Sequence, residues 1–235
     1  GTNNQKHHEM KRLLLTWFLV AAVFYYSYGQ QPVSVSDSSQ FPAYYWHSKD
    51  MFDHLPDTRN EIVFLGNSIT DGAEWFELLQ NKKCRNRGIS GDVTEGILLR
   101  LDGVTKLKPS AIFLLIGIND LSRNISVDEI TGRYREILQR IQTETPKTKV
   151  YVQSVMPVNP ATGGNKRLEG KTDLIIELNS RLQTLAKEFG LTYIDLFTPL
   201  ADSNNLLPRR YSVDGLHLSY EGYSVWTGIL RQYIK

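Results

Sequence analysis

Four short apolar runs punctuate this 235-residue chain, and segments of helical period separate most of them. The runs are Ile62-Val-Phe-Leu65, Ala111 to Ile116, Val150 to Val155 and Thr192 to Asp195, and a weaker strand is expected from Cys84 to Arg87. Between them, Ile130, Tyr134, Ile137, Leu138 and Ile141 form a stripe of helical spacing, preceded by Ser126-Val-Asp-Glu129 at capping-box spacing. Leu174, Leu178, Leu182 and Leu185 repeat the pattern up to Gly190, and a last helix is expected from near Ser219, burying Tyr223, Trp226, Leu230 and Tyr233. Nearly unbroken apolar strands are buried on both faces, so alternation with amphipathic helices predicts a three-layer α/β/α sandwich around a mainly parallel five-stranded sheet. In such folds ligands bind beyond the carboxyl ends of the strands. No internal repeat or low-complexity tract interrupts the pattern.

The front of the chain departs from it. Met10-Lys-Arg12 precedes the apolar stretch Leu13 to Tyr26, in which only Thr16 is polar, and Ser27-Tyr-Gly29 follows. A basic start, a short apolar segment and a small-residue exit read as a secretory signal. The stretch is short for a membrane span of roughly 20 apolar residues, although an uncleaved N-terminal anchor is the alternative. The expected organisation is therefore residues 1–29 as a tag remnant or over-long start plus signal, 30–60 as a leader packing on the domain, and 61–235 as the domain itself. Export to the periplasm or the medium follows, with no stable membrane insertion after cleavage. With Lys6, Lys11, Arg12 and Glu9 set aside, the 27 basic and 25 acidic residues become 24 of each. That balance gives no footprint for nucleic acid and no polybasic membrane patch. Cys84 is the only cysteine, so no intrachain disulfide is available, and a half-buried structural thiol is the expected role. Asn124-Ile-Ser126 is a glycosylation sequon that matters only in a eukaryotic secretory host.

Chemistry is concentrated in four segments. Gly66-Asn-Ser68 ends the first apolar run, Gly88-Ile-Ser-Gly91-Asp92 follows the weaker strand, Gly117-Ile-Asn119-Asp120 follows the second clear one, and Asp214-Gly-Leu-His217 lies near the C-terminus. Each alone reads as a turn, a cap or a surface loop. Together they place Ser68, Gly91 and Asn119 on one sheet edge. Serine becomes a nucleophile when a base takes its proton and a carboxylate orients that base. Asp214 and His217, three apart, let one loop supply both. A backbone N–H at Gly91 and the Asn119 amide are donors suited to a developing oxyanion.

These four ordered blocks resemble the SGNH (GDSL-type) hydrolase superfamily, over residues 61–235. The resemblance implies a flavodoxin-like fold, Ser68 as nucleophile, Asp214 and His217 as orienter and base, and Ser68, Gly91 and Asn119 as the oxyanion hole. It also implies no metal or cofactor. The block that names the family, Gly-Asp-Ser-Leu, reads Gly66-Asn67-Ser68-Ile69 here. Asn67 leaves the triad intact and is expected to alter local turn bonding or the substrate rim. The wording of the blocks is most similar to the platelet-activating-factor acetylhydrolase-like subgroup and its bacterial carbohydrate acetylesterase relatives.

The expected activity is hydrolysis of short-chain, foremost acetyl, esters on small-molecule or glycan substrates through an acyl-enzyme on Ser68. A lysophospholipase or thioesterase for longer acyl chains, O-acetyl transfer to an acceptor alcohol, and a glycan-binding module without turnover are the alternatives. A homodimer is compatible with the sequence. Asp71 is expected to cap the helix containing Trp75 and Leu78; Asp92, Arg100 and Asp120 to support the site or pair structurally; and Tyr223 and Trp226 to belong to the core. His47 and His54 lack a second ligand at metal spacing. Pro157 to Gly170 is expected to be a long loop, either at the mouth of a cleft or on the surface.

Overall fold

A computed structural model of the chain describes residues 41–163 and 165–234. The signal segment, the start of the leader, Gly164 and Lys235 lie outside the described residues. Five strands, β1 (Ile62–Gly66), β2 (Cys84–Gly88), β3 (Ala111–Leu115), β4 (Lys149–Gln153) and β5 (Thr192–Ile194), form one sheet of order β2-β1-β3-β4-β5. Every pairing is parallel. The order turns back on itself between β1 and β3, the place where a doubly wound sheet opens a crevice at its carboxyl edge.

The helices are α1 (Ala43–His54), α2 (Ser68–Asp71), α3 (Trp75–Leu79), α4 (Thr94–Thr105), α5 (Ile118–Ser122), α6 (Val127–Glu144), α7 (Pro160–Gly163), α8 (Thr172–Glu188), α9 (Phe197–Leu200) and α10 (Tyr220–Leu230). Helix α4 packs on α6 and α6 on α8, forming one layer. The buried stripe Ile130, Tyr134, Ile137, Leu138 and Ile141 is the apolar face of α6, and Ser126 Oγ accepts from the Glu129 N–H at its start. The opposite sheet face is aromatic. In-register Phe64, Phe113 and Tyr151 stack at centroid distances of 5.1 and 4.4 Å across β1, β3 and β4. Trp75 stacks on Phe64 at 3.7 Å and meets Trp226 edge-on at 4.7 Å, which brings α3 and α10 onto that face. Trp226 is fully buried and donates its indole N–H to Gln153 Oε1 at 2.7 Å. Rings of this size bury large apolar areas while the indole N–H keeps its partner.

Helix α1 begins at Ala43, with Pro42 in the cap position and Tyr45 buried in its first turn. Phe41 and Tyr45 pack with Ile89 and Val93, and the Tyr45 hydroxyl donates to the Gly96 carbonyl at 2.7 Å. The leader helix is thereby fastened to the loop that follows β2. Two expectations need correction. Asp71 does not cap α3, whose N-cap is Glu74 with no side-chain cap bond. Its carboxylate Oδ2 instead accepts from the Tyr44 hydroxyl and Ser90 Oγ, at 3.1 and 2.7 Å, because Asp71 closes α2 and faces the other way. The 157–170 stretch is not one long loop. It contains α7 and a 3₁₀ turn at Lys166–Leu168, and Leu168 is buried in the core.

Candidate active site

The apolar run of β1 delivers Ser68 to the first position of α2, a single turn begun by Asn67. Asn67 is fully buried and its Oδ1 accepts from the Ile69 N–H at 3.0 Å. The residue that departs from the family block is therefore an internal cap and does not reach the substrate rim. A four-residue helix has no intrahelical partners for its last carbonyls, and side chains from elsewhere supply them. Tyr223 donates to Ile69 O at 2.7 Å, Trp75 to Thr70 O at 3.0 Å and Asn86 to Asp71 O at 2.8 Å. Three separate elements thus fix the turn that carries Ser68.

His217 reaches Ser68 from the other end of the chain. Its Nε2 lies 2.9 Å from Ser68 Oγ and its Nδ1 lies 2.7 Å from Asp214 Oδ2. The three-residue spacing works through a tight loop: Asp214 Oδ1 accepts the N–H groups of His217 and Leu216 at 2.7 and 3.0 Å. Ser212 Oγ accepts from Gly215 N–H at 2.7 Å and donates to His217 O at 2.8 Å. At Gly215, φ is +81° and a Cβ would run into the Asn159 carbonyl, so glycine is required there. That close approach also packs the segment leading into α7 against the Asp214 loop, with Asn159 N–H donating to Gly215 O at 2.7 Å. Burial pushes the Asp214 carboxyl up, but the bonds from the His217 ring and from the His217 and Leu216 N–H groups outweigh it. The group is held below the ordinary carboxylate value, so it stays ionised and favours the tautomer with its proton on Nδ1.

The two remaining segments sit on the adjacent strand ends. Gly91 is exposed, with φ +81° and open space where a Cβ would be, so its conformation and not crowding selects glycine. The loop around it is pinned at three consecutive residues: Ser90 Oγ to Asp71, Arg123 Nη2 to Gly91 O at 2.8 Å, and Asn119 Nδ2 to Asp92 O at 2.9 Å. Among the described residues, no hydrogen bond uses the N–H of Ser68 or of Gly91. Ser68 and Gly91 thus keep backbone N–H groups, and Asn119 a second amide hydrogen beyond its bond to Asp92, on segments that follow the carboxyl ends of the adjacent strands β1, β2 and β3.

Arg100, Asp92 and Asp120 lie beneath these groups. Arg100 is buried; it donates to Gly66 O at 3.0 Å, to Arg87 O at 2.9 Å and to Asp92 Oδ2 at 2.8 Å. It ties the ends of β1 and β2 to the Gly91 loop. Burial pushes the Asp92 carboxyl up to about 6 despite the neighbouring guanidinium. Asp120 is raised by burial too, although Thr94 N–H and Oγ1 bond to it, the hydroxyl at 2.5 Å. The Tyr223, Trp75 and Asn86 bonds to α2 were not singled out in the sequence. Their donors come from three elements, and no spacing rule connects them to Ser68. Among the described residues, no group of three or more His, Cys, Asp or Glu side chains is placed to hold a metal ion.

Residues 64–225 match the model of the GDSL-like lipase/acylhydrolase family. Human platelet-activating factor acetylhydrolase IB subunit alpha2 is 24% identical over 184 residues, covering 76% of this chain and 77% of that protein. A GDSL-like lipase from Bacteroides thetaiotaomicron superposes with a TM-score of 0.71 at 25% identity, covering 81% of this chain and 96% of that one. An acetylxylan esterase from Geobacillus stearothermophilus shares the fold, with a TM-score of 0.61 at 19% identity, covering 75% and 94%. The family match spans all four blocks, from the strand before Ser68 to the helix after His217, and the chain belongs to the GDSL-like lipase/acylhydrolase family.

Proposed function

We propose that the protein is a serine esterase that removes short acyl groups, acetyl foremost, from carbohydrate alcohols outside the cytoplasm. The observation that carries the catalytic part is the continuous Ser68–His217–Asp214 chain at 2.9 and 2.7 Å. In this reading Ser68 Oγ attacks the ester carbonyl while His217 Nε2 takes its proton. The oxyanion is met by the Ser68 and Gly91 N–H groups and the Asn119 amide. His217 then protonates the departing alcohol, leaving Ser68 acylated. Water, deprotonated by His217, attacks the acyl carbonyl, and Ser68 leaves with that proton restored. Asp214 holds the imidazole and stabilises its cation throughout.

Support for a small acyl group and a polar alcohol is separate. The His217 and Asp214 side chains are 41% and 43% exposed, so the bond to be cut sits near solvent and not at the end of a buried apolar channel. The names of the relatives, an acetylhydrolase subunit and an acetylxylan esterase, point the same way. A nitrophenyl ester series from two to twelve carbons tests the acyl preference. The highest kcat/KM is expected at the acetate; a maximum at eight carbons or more would establish a long-chain acylhydrolase instead. Acetylated xylooligosaccharides, with free acetate and acetylated acceptor both measured, separate hydrolysis from transfer.

A further inference from the structure

Helix α1 places a half-exposed aromatic ring beside the catalytic groups. Tyr44 is 48% exposed, and its hydroxyl donates to Asp71 Oδ2 at 3.1 Å. Asp71 lies three residues after Ser68 in α2, a spacing that puts the two side chains on one helix face about 5–6 Å apart at Cβ. The same Asp71 oxygen accepts from Ser90 Oγ at 2.7 Å, and Ser90 directly precedes Gly91. A ring, a carboxylate and a hydroxyl are therefore clustered on one side of the site, next to the Gly91 loop. Neither the attack on the ester nor the relay through Asp214 uses any of them.

From this cluster we infer that Tyr44 and Asp71 form the subsite for the alcohol half of the ester, and that its chemical class is a pyranose. The C–H face of a pyranose packs on an aromatic ring, and its hydroxyls donate to a carboxylate. A phospholipid head group would place a phosphate against Asp71, where like charges repel. The leader helix, held by Tyr45 and Phe41 against Ile89 and Val93, thus supplies part of substrate recognition as well as covering the loop. The inference rests on the carbohydrate-ester reading of the same site.

The test compares two substrates across variants. An acetylated xylooligosaccharide engages the subsite, whereas nitrophenyl acetate has no polyol. The ratio of their kcat/KM values, sugar over nitrophenyl, is expected to fall about tenfold or more in Tyr44→Ala and Asp71→Ala, mainly through KM on the sugar. Tyr44→Phe keeps the ring and is expected to stay within about threefold of the wild-type ratio. Equal losses on both substrates would show that the cluster only props the Gly91 loop, and no loss on either would show that the sugar lies elsewhere. Either result overturns the inference and leaves the esterase reading standing. A wild-type protein that cleaves nitrophenyl acetate and leaves every acetylated sugar intact would overturn the carbohydrate reading, and this inference with it.

Discussion

Asn119 gives one amide hydrogen to the Asp92 carbonyl oxygen at 2.9 Å, across the gap between the β3 and β2 ends. The bond fixes the plane of the amide and leaves its second hydrogen directed elsewhere. A donor held in this way pays little reorganisation when charge develops nearby. Asn119→Ala is expected to lower kcat on nitrophenyl acetate by about 10²–10³-fold with KM nearly unchanged, as for loss of one oxyanion donor. Steady-state kinetics checks this, and a loss appearing mainly in KM would assign Asn119 to ground-state binding.

Asp214 is the group whose charge state the site most depends on. Its pKa lies below the ordinary carboxylate value, so its contribution to stability is present above the unfolded value near pH 4 and is lost as pH falls through the folded one. Asp214→Asn keeps the backbone acceptor for Leu216 and His217 but reverses the ring tautomer. A loss of about 10⁴-fold in kcat with an intact fold is expected. Activity assays alongside circular dichroism separate this from unfolding.

Arg100 joins two backbone carbonyls, of Gly66 and Arg87, and the Asp92 carboxylate in the interior. Arg100→Met removes the partner of a buried Asp92 and is expected to destabilise the protein by about 3–5 kcal/mol. Arg100→Met combined with Asp92→Leu is expected to recover part of that loss, since the unpaired charge is gone. Urea unfolding of the three proteins measures both effects.

Cys84 is buried on β2, and burial pushes its thiol up to about 11. The folded state then holds a proton that the unfolded chain releases near pH 9, so this contribution to stability is intact below about pH 9 and declines as pH rises toward 11. Cys84→Ala is expected to flatten the fall of Tm over that window. Thiol labelling at pH 8 should proceed at the rate of unfolding; rapid labelling of native protein would show an accessible thiol.

Much of this was legible in the sequence because it rests on local signals. The runs at Ile62 and Ala111 became the central strands because apolar residues without alternation fit only a sheet covered on both faces. Ser68, Gly91 and Asn119 could be placed on one edge because each follows a strand, and Asp214 could be paired with His217 by spacing alone. What stayed hidden depends on contacts between distant elements. Asp71 looked like a helix cap, since Asp before an apolar run usually is one; the structure spends its carboxylate on Tyr44 and Ser90, residues 27 and 19 positions away. The weak strand Cys84 to Arg87 was faint because Arg85 and Asn86 occupy an edge strand whose pattern need not be apolar. Likewise the fastening of α2 by Tyr223, Trp75 and Asn86 has no periodic signature, because each bond ends on a backbone carbonyl.

The proposed mechanism requires Ser68 to be the acylated nucleophile. Treating the protein with diethyl nitrophenyl phosphate and mapping the modified peptide by mass spectrometry tests it directly. One diethylphosphoryl group per chain, located on Ser68, should appear in step with loss of esterase activity, and Ser68→Ala should be both unlabelled and inactive. Full inactivation with the label on another residue, or wild-type turnover by Ser68→Ala, would contradict it.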